Sequence, residues 1–547
     1  MRRSLALFLL LGSCAPSGGE AGREAQEETL AQEPVVGADK EFFASARGCS
    51  ACHDGMVDEA GADVSIASFW RSTMMGNASR DPYWQAGVQA ELLDHPAYAE
   101  VIEDKCATCH MPMARFTAVA NGRQGRVAEV MRDPDHEAYA IAVDGVSCTL
   151  CHQIEDAGLG ESTSYSGGFV IDQERPLGER LIYGPYPVDE TKVAIMKAAS
   201  RFVPTESRHV REAALCATCH TLFTPYMDAS GEIAGEFQEQ VPYLEWLHSD
   251  YRSTHSCQDC HMPKAEGAVL VSTVGGEARA PFAKHVFVGG NAYLLGMLIA
   301  FREELDVQAA GEELEATVDR TREQLEKRTA SLSFHDVSLS DSQLVAEVAI
   351  RSQAGHKLPS AFPARRAWLH LWVADGDGSV VFESGAWDST GAIVGNDNDL
   401  DPRRYEPHYV EIDRPEEVQI YESIMQTSEG EVTTALLRGS AYIKDNRLLP
   451  AGFDKATASP DIMVQGVATN DADFAAGGDN LRYVVDVGVA PRPFTLNVEL
   501  LYQSVGYRWA QNLRRHEAPE IARFQGYYAA TPNRPLVLAG DTATAGG

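Results

Sequence analysis

The sequence predicts a multidomain α + β protein: an N-terminal, mostly helical and loop-rich region followed by a β-sandwich-like C-terminal domain. Three observations predict it. A length of 547 residues exceeds one small domain. Ten of the eleven cysteines fall between residues 49 and 260 in one repeated pattern. After Thr329 the hydrophobic period changes from that of helices to that of strands. Composition also excludes whole classes. A formal charge of −33 leaves no basic surface for nucleic acid or an anionic membrane. No apolar run of 18 or more residues follows the N-terminus, which excludes a polytopic membrane protein.

Arg2 and Arg3 precede the apolar stretch Leu5 to Leu11 and then Gly12-Ser13-Cys14. A basic start, a short hydrophobic core and small residues describe an export signal over residues 1–14. Leu11-Gly12-Ser13-Cys14 resembles the bacterial lipoprotein signal, in which the cysteine becomes the acylated N-terminus. That resemblance implies lipidation at Cys14. It also implies an exported protein anchored to the bacterial outer membrane, on its periplasmic or cell-surface face. Residues 15–40 are small, polar and acidic and read as a flexible linker.

The remaining ten cysteines form Cys49-Ser-Ala-Cys52-His53, Cys106-Ala-Thr-Cys109-His110, Cys148-Thr-Leu-Cys151-His152, Cys216-Ala-Thr-Cys219-His220 and Cys257-Gln-Asp-Cys260-His261. Cys-x-x-Cys-His is the attachment signature of c-type haem. Two thiols bond the porphyrin edge, and the next residue places an imidazole beneath the ring as the proximal iron ligand. Zinc knuckles usually pair at roughly 15–20 residues, whereas these motif starts lie 57, 42, 68 and 41 residues apart. Thioredoxin-type dithiols require neither the histidine nor five copies. The sequence therefore predicts five covalently bound haem c groups in residues 41–302, with short helices around Ser207–Ala217 and Pro242–Tyr251 joined by long loops. Such loops need internal filling, which porphyrins would supply.

Eleven further histidines compete for the distal faces. Phe69 to about Gly290 resembles multihaem cytochromes related to hydroxylamine oxidoreductase and pentahaem nitrite reductase. The resemblance rests on CATCHMPMARF at Cys106, DGVSCTLCHQI at Asp144, CATCHTLFTP at Cys216, YLEWLHSDYRSTHSCQDCHMP at Tyr243 and KHVFVGGN at Lys284. In such proteins a histidine shortly before a motif often ligates a neighbouring iron, which implicates His136 and His209. His285 resembles the histidine that closes the haem region. His356, in Gly355-His356-Lys357-Leu358-Pro359, resembles a segment that reaches back from a C-terminal β-domain. Met75 occupies a stretch where related cytochromes tend to carry a histidine, with His95 and His255 as competitors and core filling as the plainer role.

Residues 303–329 carry apolar groups near helical spacing and read as a connecting helix. Within 330–547, LVAEVAI at Leu344, AWLHLWVA at Ala367, VVFES at Val380, YVVDVGV at Tyr483 and FTLNVELLYQ at Phe494 read as strands. A final helix is expected near Ala518–Tyr528. Asn396 to Asp401 is rich in oxygen ligands but lacks the glycine and distal glutamate of an EF-hand, so a solvated turn is expected rather than calcium. No catalytic motif appears in this half.

The expected function is electron carriage between redox partner proteins of the envelope, within a membrane-associated electron-transfer complex and with no catalytic residue of its own. The alternative is an oxidoreductase acting on nitrite or hydroxylamine at one open haem. Against it, pentahaem nitrite reductases typically carry one Cys-x-x-Cys-Lys motif, and this chain has none.

Overall fold

Each Cys-x-x-Cys-His motif forms or ends a short helix, because cysteines at i and i+3 and a histidine at i+4 share one face only in that conformation. In the computed structural model, which describes residues 41–547, these helices are Ala46–His53, Ala99–His110, Cys148–Cys151, Ala213–His220 and Cys257–His261. The export signal, Cys14 and the linker lie outside the described residues. Around the motifs are further short helices and small two-stranded ribbons, such as Leu222–Met227 with Ile233–Gln240. The segments expected to be helical are split. Arg208–Arg211 is a 3-10 turn before Ala213–His220, and Pro242–Leu247 is followed by a second turn at Asp250–Ser253.

The connecting helix runs Gly311–Arg328, shorter than the 303–329 expected from the pattern. Residues 303–310 turn instead, which buries Leu305, Val307 and Ala309 against Leu294, Leu298 and Phe524. After it the chain builds two main sheets. One orders Val380–Ser384, Arg366–Ala374, Phe494–Gln503 and Leu536–Ala545, all antiparallel, with Ile420–Tyr421 also on Arg366–Ala374. The other orders Glu411–Ile412, Gly478–Asp486, Gln343–Ser352 and Ala330–Ser340. Alternate residues of both sheets meet in one core: Leu344, Val348 and Ile350 from one, Leu371, Val498 and Leu500 from the other. Period-2 side-chain alternation makes this possible, since each strand has one apolar face.

Two long strands escape sequence reading, Ala330–Ser340 and Leu536–Ala545, because serine, aspartate and threonine alternate through them; so do five short ones of two to five residues between 411 and 445. The predicted last helix exists as Pro519–Ala530, but the chain ends on the Leu536–Ala545 strand instead. Backbone bonds to Phe494–Gln503 order that strand despite its polar face. Among the described residues no helix is long and apolar enough to cross a membrane. Residues 41–547 lie within one compact unit, so the helical and sheet-rich halves share their packing. Pro519–Ala530 packs on the early helix Pro82–Asp94, and Arg132 pairs with Glu520 at 2.7 Å.

Candidate functional site

All ten motif cysteines and all five motif histidines line one continuous cavity of about 2140 Å³. That exceeds the ~300–1,000 Å³ of a usual small-molecule site. None of these cysteines is paired in a disulfide. Thiols of different motifs lie beside one another: Cys49 of the first by Cys148 of the third, Cys109 of the second by Cys219 of the fourth, and Cys216 of the fourth by Cys257 of the fifth. The helices are packed to match, Ala46–His53 on Cys148–Cys151 and Ala213–His220 on Cys257–His261. Between the second and fourth motifs lies Gly167, whose N–H donates to Thr218 O and whose φ is +81°. A Cβ there would overlap the Thr108 side chain beside Cys109. Only glycine meets both demands.

The histidines are oriented by carbonyls. Nδ1–H donates to Val271 O from His53, to Ala78 O from His110, to Tyr183 O from His152 and to Val288 O from His261, at 2.5–3.0 Å. Such a tether fixes the tautomer and leaves Nε2 with a lone pair for a metal. Burial lowers the pKa of His110 and His220 to about 4, and lowers those of His152 and His261, so these rings are neutral, as a metal ligand must be. Trp84 stacks on His110 at 4.4 Å and 3°.

Two further histidines stand opposite motif histidines. The His152 and His285 rings are 6.3 Å apart, and those of His261 and His356 are 6.2 Å apart and within 10° of parallel. A metal held about 2 Å from each of two imidazole nitrogens spaces the ring centres by roughly 6 Å. His285 and His356 are tethered in the same way, Nδ1 to Ala283 O at 3.2 Å and to Lys357 O at 2.9 Å. The donor set therefore fits haem: paired thiols, an imidazole after each pair, and at two places a second imidazole at the right separation.

The other expected ligands sit differently. Met75 is half-buried on the cavity wall, its carbonyl accepting from Val146 N near the third motif. His255 also lines the cavity and is exposed, whereas His95 does not line it. His136 lies outside the lining, 3.7 Å from Glu129. His209 is buried behind His152, its Nδ1 on Ser207 Oγ at 2.7 Å and its Nε2 on Ile154 O at 2.8 Å. At 396–401 each aspartate is held by an arginine: Asp397 by Arg404, Asp399 by Arg366, Asp401 by Arg403. That leaves no open carboxylate cage for calcium. A second cluster, His408, Asp471 and Asp479, is shaped for a metal but wired against one. Gln419 and Asn446 both donate amide N–H to His408 Nδ1, so Nε2 carries the proton that Asp471 accepts at 3.0 Å.

Sequence reasoning missed Trp84, the tethering carbonyls and the cavity-lining acids Asp81 and Glu91. None carries a local pattern; only their spatial neighbours give them a role.

Fold and site together describe a chain whose five Cys-x-x-Cys-His motifs surround one large cavity. No protein-family model matches it, and neither does any curated protein. Its fold is similar to that of a penta-heme cytochrome c552 from Thermochromatium tepidum, with a TM-score of 0.50 at 15% identity, covering 92% of this chain and 98% of that one.

Proposed function

We propose that the chain is a pentahaem c-type cytochrome carrying electrons between redox partner proteins of the bacterial cell envelope. One observation carries the reading: all five Cys-x-x-Cys-His motifs face a single cavity, with thiols of different motifs beside one another. The similarity to a penta-heme cytochrome supports it. Haem supplies a reversible one-electron iron couple. The chain supplies thioether anchors from Cys49, Cys52, Cys106, Cys109, Cys148, Cys151, Cys216, Cys219, Cys257 and Cys260, and proximal imidazoles from His53, His110, His152, His220 and His261. His285 faces the group at His152, and His356 the group at His261. Paired imidazoles favour a low-spin, low-potential carrier. Met75 and His255 are the cavity-lining candidates elsewhere, while His136 and His209 would have to leave their present partners. The C-terminal half acts as a β-sandwich that returns His356 to the haem region.

Export, acylation at Cys14 and outer-membrane anchoring belong to the same proposal, supported by the residues of the N-terminal signal. The tether of residues 15–40 would let the body reach partners away from the lipid. Nucleic acid is no partner for a chain of charge −33.

Purified chain from a maturation-competent host is expected to be red. It should carry five haems per polypeptide, resist haem extraction by acid acetone, and show low-spin spectra. Colourless protein, or a mass equal to the processed and lipidated polypeptide alone, overturns the reading. Cys14→Ser should move the protein from the membrane fraction to the soluble one.

One observation favours the second reading, an oxidoreductase of nitrite or hydroxylamine type. Asp81 and Glu91 flank Trp84, which stacks on His110, and both carboxyls line the cavity. Burial pushes them up to about 6 and about 7, where each can donate a proton near neutrality. A spectral shift on adding nitrite or hydroxylamine, with turnover, would select this reading; no shift selects the carrier.

A further inference from the structure

The segment that bears His356 is held from below by a closed, buried, charge-balanced network. Lys357 Nζ pairs with Asp445 Oδ2 at 2.7 Å, at 0% and 3% side-chain exposure. Arg447 grips both oxygens of Asp445 at 2.8 Å and pairs with Glu245 at 2.9 Å. Glu245 Oε2 closes the ring by accepting from the Lys357 backbone N–H at 3.1 Å and from Ser360 Oγ at 2.9 Å. Two cations and two carboxylates are thus matched inside the protein.

Their origins matter. Glu245 lies in the helix Pro242–Leu247, twelve residues before the fifth motif. Asp445 ends the strand Ala441–Asp445 of the C-terminal half. Lys357 is the immediate neighbour of His356. Further bonds dock the same loop: Ser249 Oγ donates to Gly355 O at 3.2 Å, Tyr251 OH to Gln353 O at 3.0 Å, and Leu358 exchanges backbone bonds with Leu448. The Gly355 position packs against Tyr251 and Trp246. A buried ion network tolerates few geometries, because each charge left unpaired is costly there. Fixing the Lys357 backbone also fixes its carbonyl, which orients His356 through Nδ1.

We infer that Glu245, Asp445 and Arg447 are positioning residues that hold His356 opposite His261, so that the C-terminal half sets the axial ligation of the fifth haem. The inference rests on the pentahaem reading above and goes beyond it. It names the device by which a remote strand controls one iron among five, and with it that iron's spin state and potential.

The test compares variants of the full, haem-loaded chain by low-temperature EPR, near-infrared spectra and redox titration. His356→Ala locates the signal of the fifth haem, which should become high-spin and return to low-spin on adding imidazole. Asp445→Asn and Glu245→Gln are expected to perturb that same signal, as partial high-spin character or a shifted midpoint, and to leave the other four unchanged. Asp399→Asn is the control. It breaks an equally buried ion pair with Arg366, at 4% and 2% exposure, and its hydrogen bonds reach no residue of 353–360. It should leave every haem signal as it was. Should Asp445→Asn not fold, Glu245→Gln decides, because glutamine keeps an acceptor for the Lys357 N–H and loses only the charge.

If His356→Ala moves one haem while Asp445→Asn and Glu245→Gln move none, the positioning role is overturned and the haem reading stands. If Asp399→Asn moves the fifth haem equally, the effect is general softening and the inference fails. If His356→Ala changes no signal, the ligand assignment itself falls and takes the inference with it.

Discussion

A histidine becomes a metal ligand only when something decides which nitrogen is free, and here main-chain carbonyls make that decision. His53, His110, His152, His261, His285 and His356 each turn Nδ1 onto a carbonyl oxygen. His209 shows the opposite case, with Nε2–H spent on Ile154 O. We expect His285→Ala to convert one haem in five to high spin. His285→Met should keep it low-spin and raise its midpoint potential, read by spectroelectrochemistry. Unchanged potentials in both variants would remove His285 from the ligand set. Gly167→Ala should destabilise the chain by roughly 1–3 kcal/mol, through both its left-handed backbone and the overlap with Thr108. A thermal melt indistinguishable from the parent's would contradict that. The motif histidines were legible from spacing alone. Their tethers were not, because Val271 lies 218 residues from His53 and Ala78 lies 32 from His110.

Elements were readable where apolar residues alternate and invisible where they do not. All five strands read from the sequence are present: Gln343–Ser352, Arg366–Ala374, Val380–Ser384, Gly478–Asp486 and Phe494–Gln503. Ala330–Ser340 and Leu536–Ala545 were hidden, because an edge strand is ordered by backbone bonds that no side-chain pattern records. One strand carries its own test. Asp479, within Gly478–Asp486, is fully buried, accepts from Tyr421 OH at 2.7 Å, and keeps its other oxygen unpartnered. Burial pushes its carboxyl up to about 7, helped by the neighbouring Asp471 and Asp473. An unfolded aspartate titrates near 4, so the folded chain holds an extra proton between about pH 4 and 7. Its stabilising share is complete below pH ~4 and is lost as pH rises through ~7. Asp479→Asn should therefore gain melting temperature over the parent on going from about pH 5 to 8. A gap between the two that does not change with pH would refute the shifted carboxyl.

At the scale of the molecule, the cavity belongs to both halves of the chain. Cys49 to His285 supply most of its wall, and His356, Phe362, Tyr502 and Trp509 close it from the other half. The second core joins them again, Leu294 and Leu298 against Phe524 and Tyr527. A chain ending at residue 302 would expose that apolar face and lack His356. It is expected to aggregate or to retain fewer low-spin haems per polypeptide than the full chain, measured by haem stoichiometry and EPR. Full, stable, low-spin loading of the truncated chain would show that the halves are independent. The sequence by itself determined where the five Cys-x-x-Cys-His motifs lie and that strands follow helices. Covalent attachment and strand alternation are short-range chemistry, written within a few residues. Tertiary structure alone decided which imidazoles face one another, which carbonyls orient them, and that a buried ring of charges from Glu245, Lys357, Asp445 and Arg447 joins the motif-bearing region to the sheets. Those relations exist only once distant segments share one interior, where an unpaired charge or donor is too costly to leave alone.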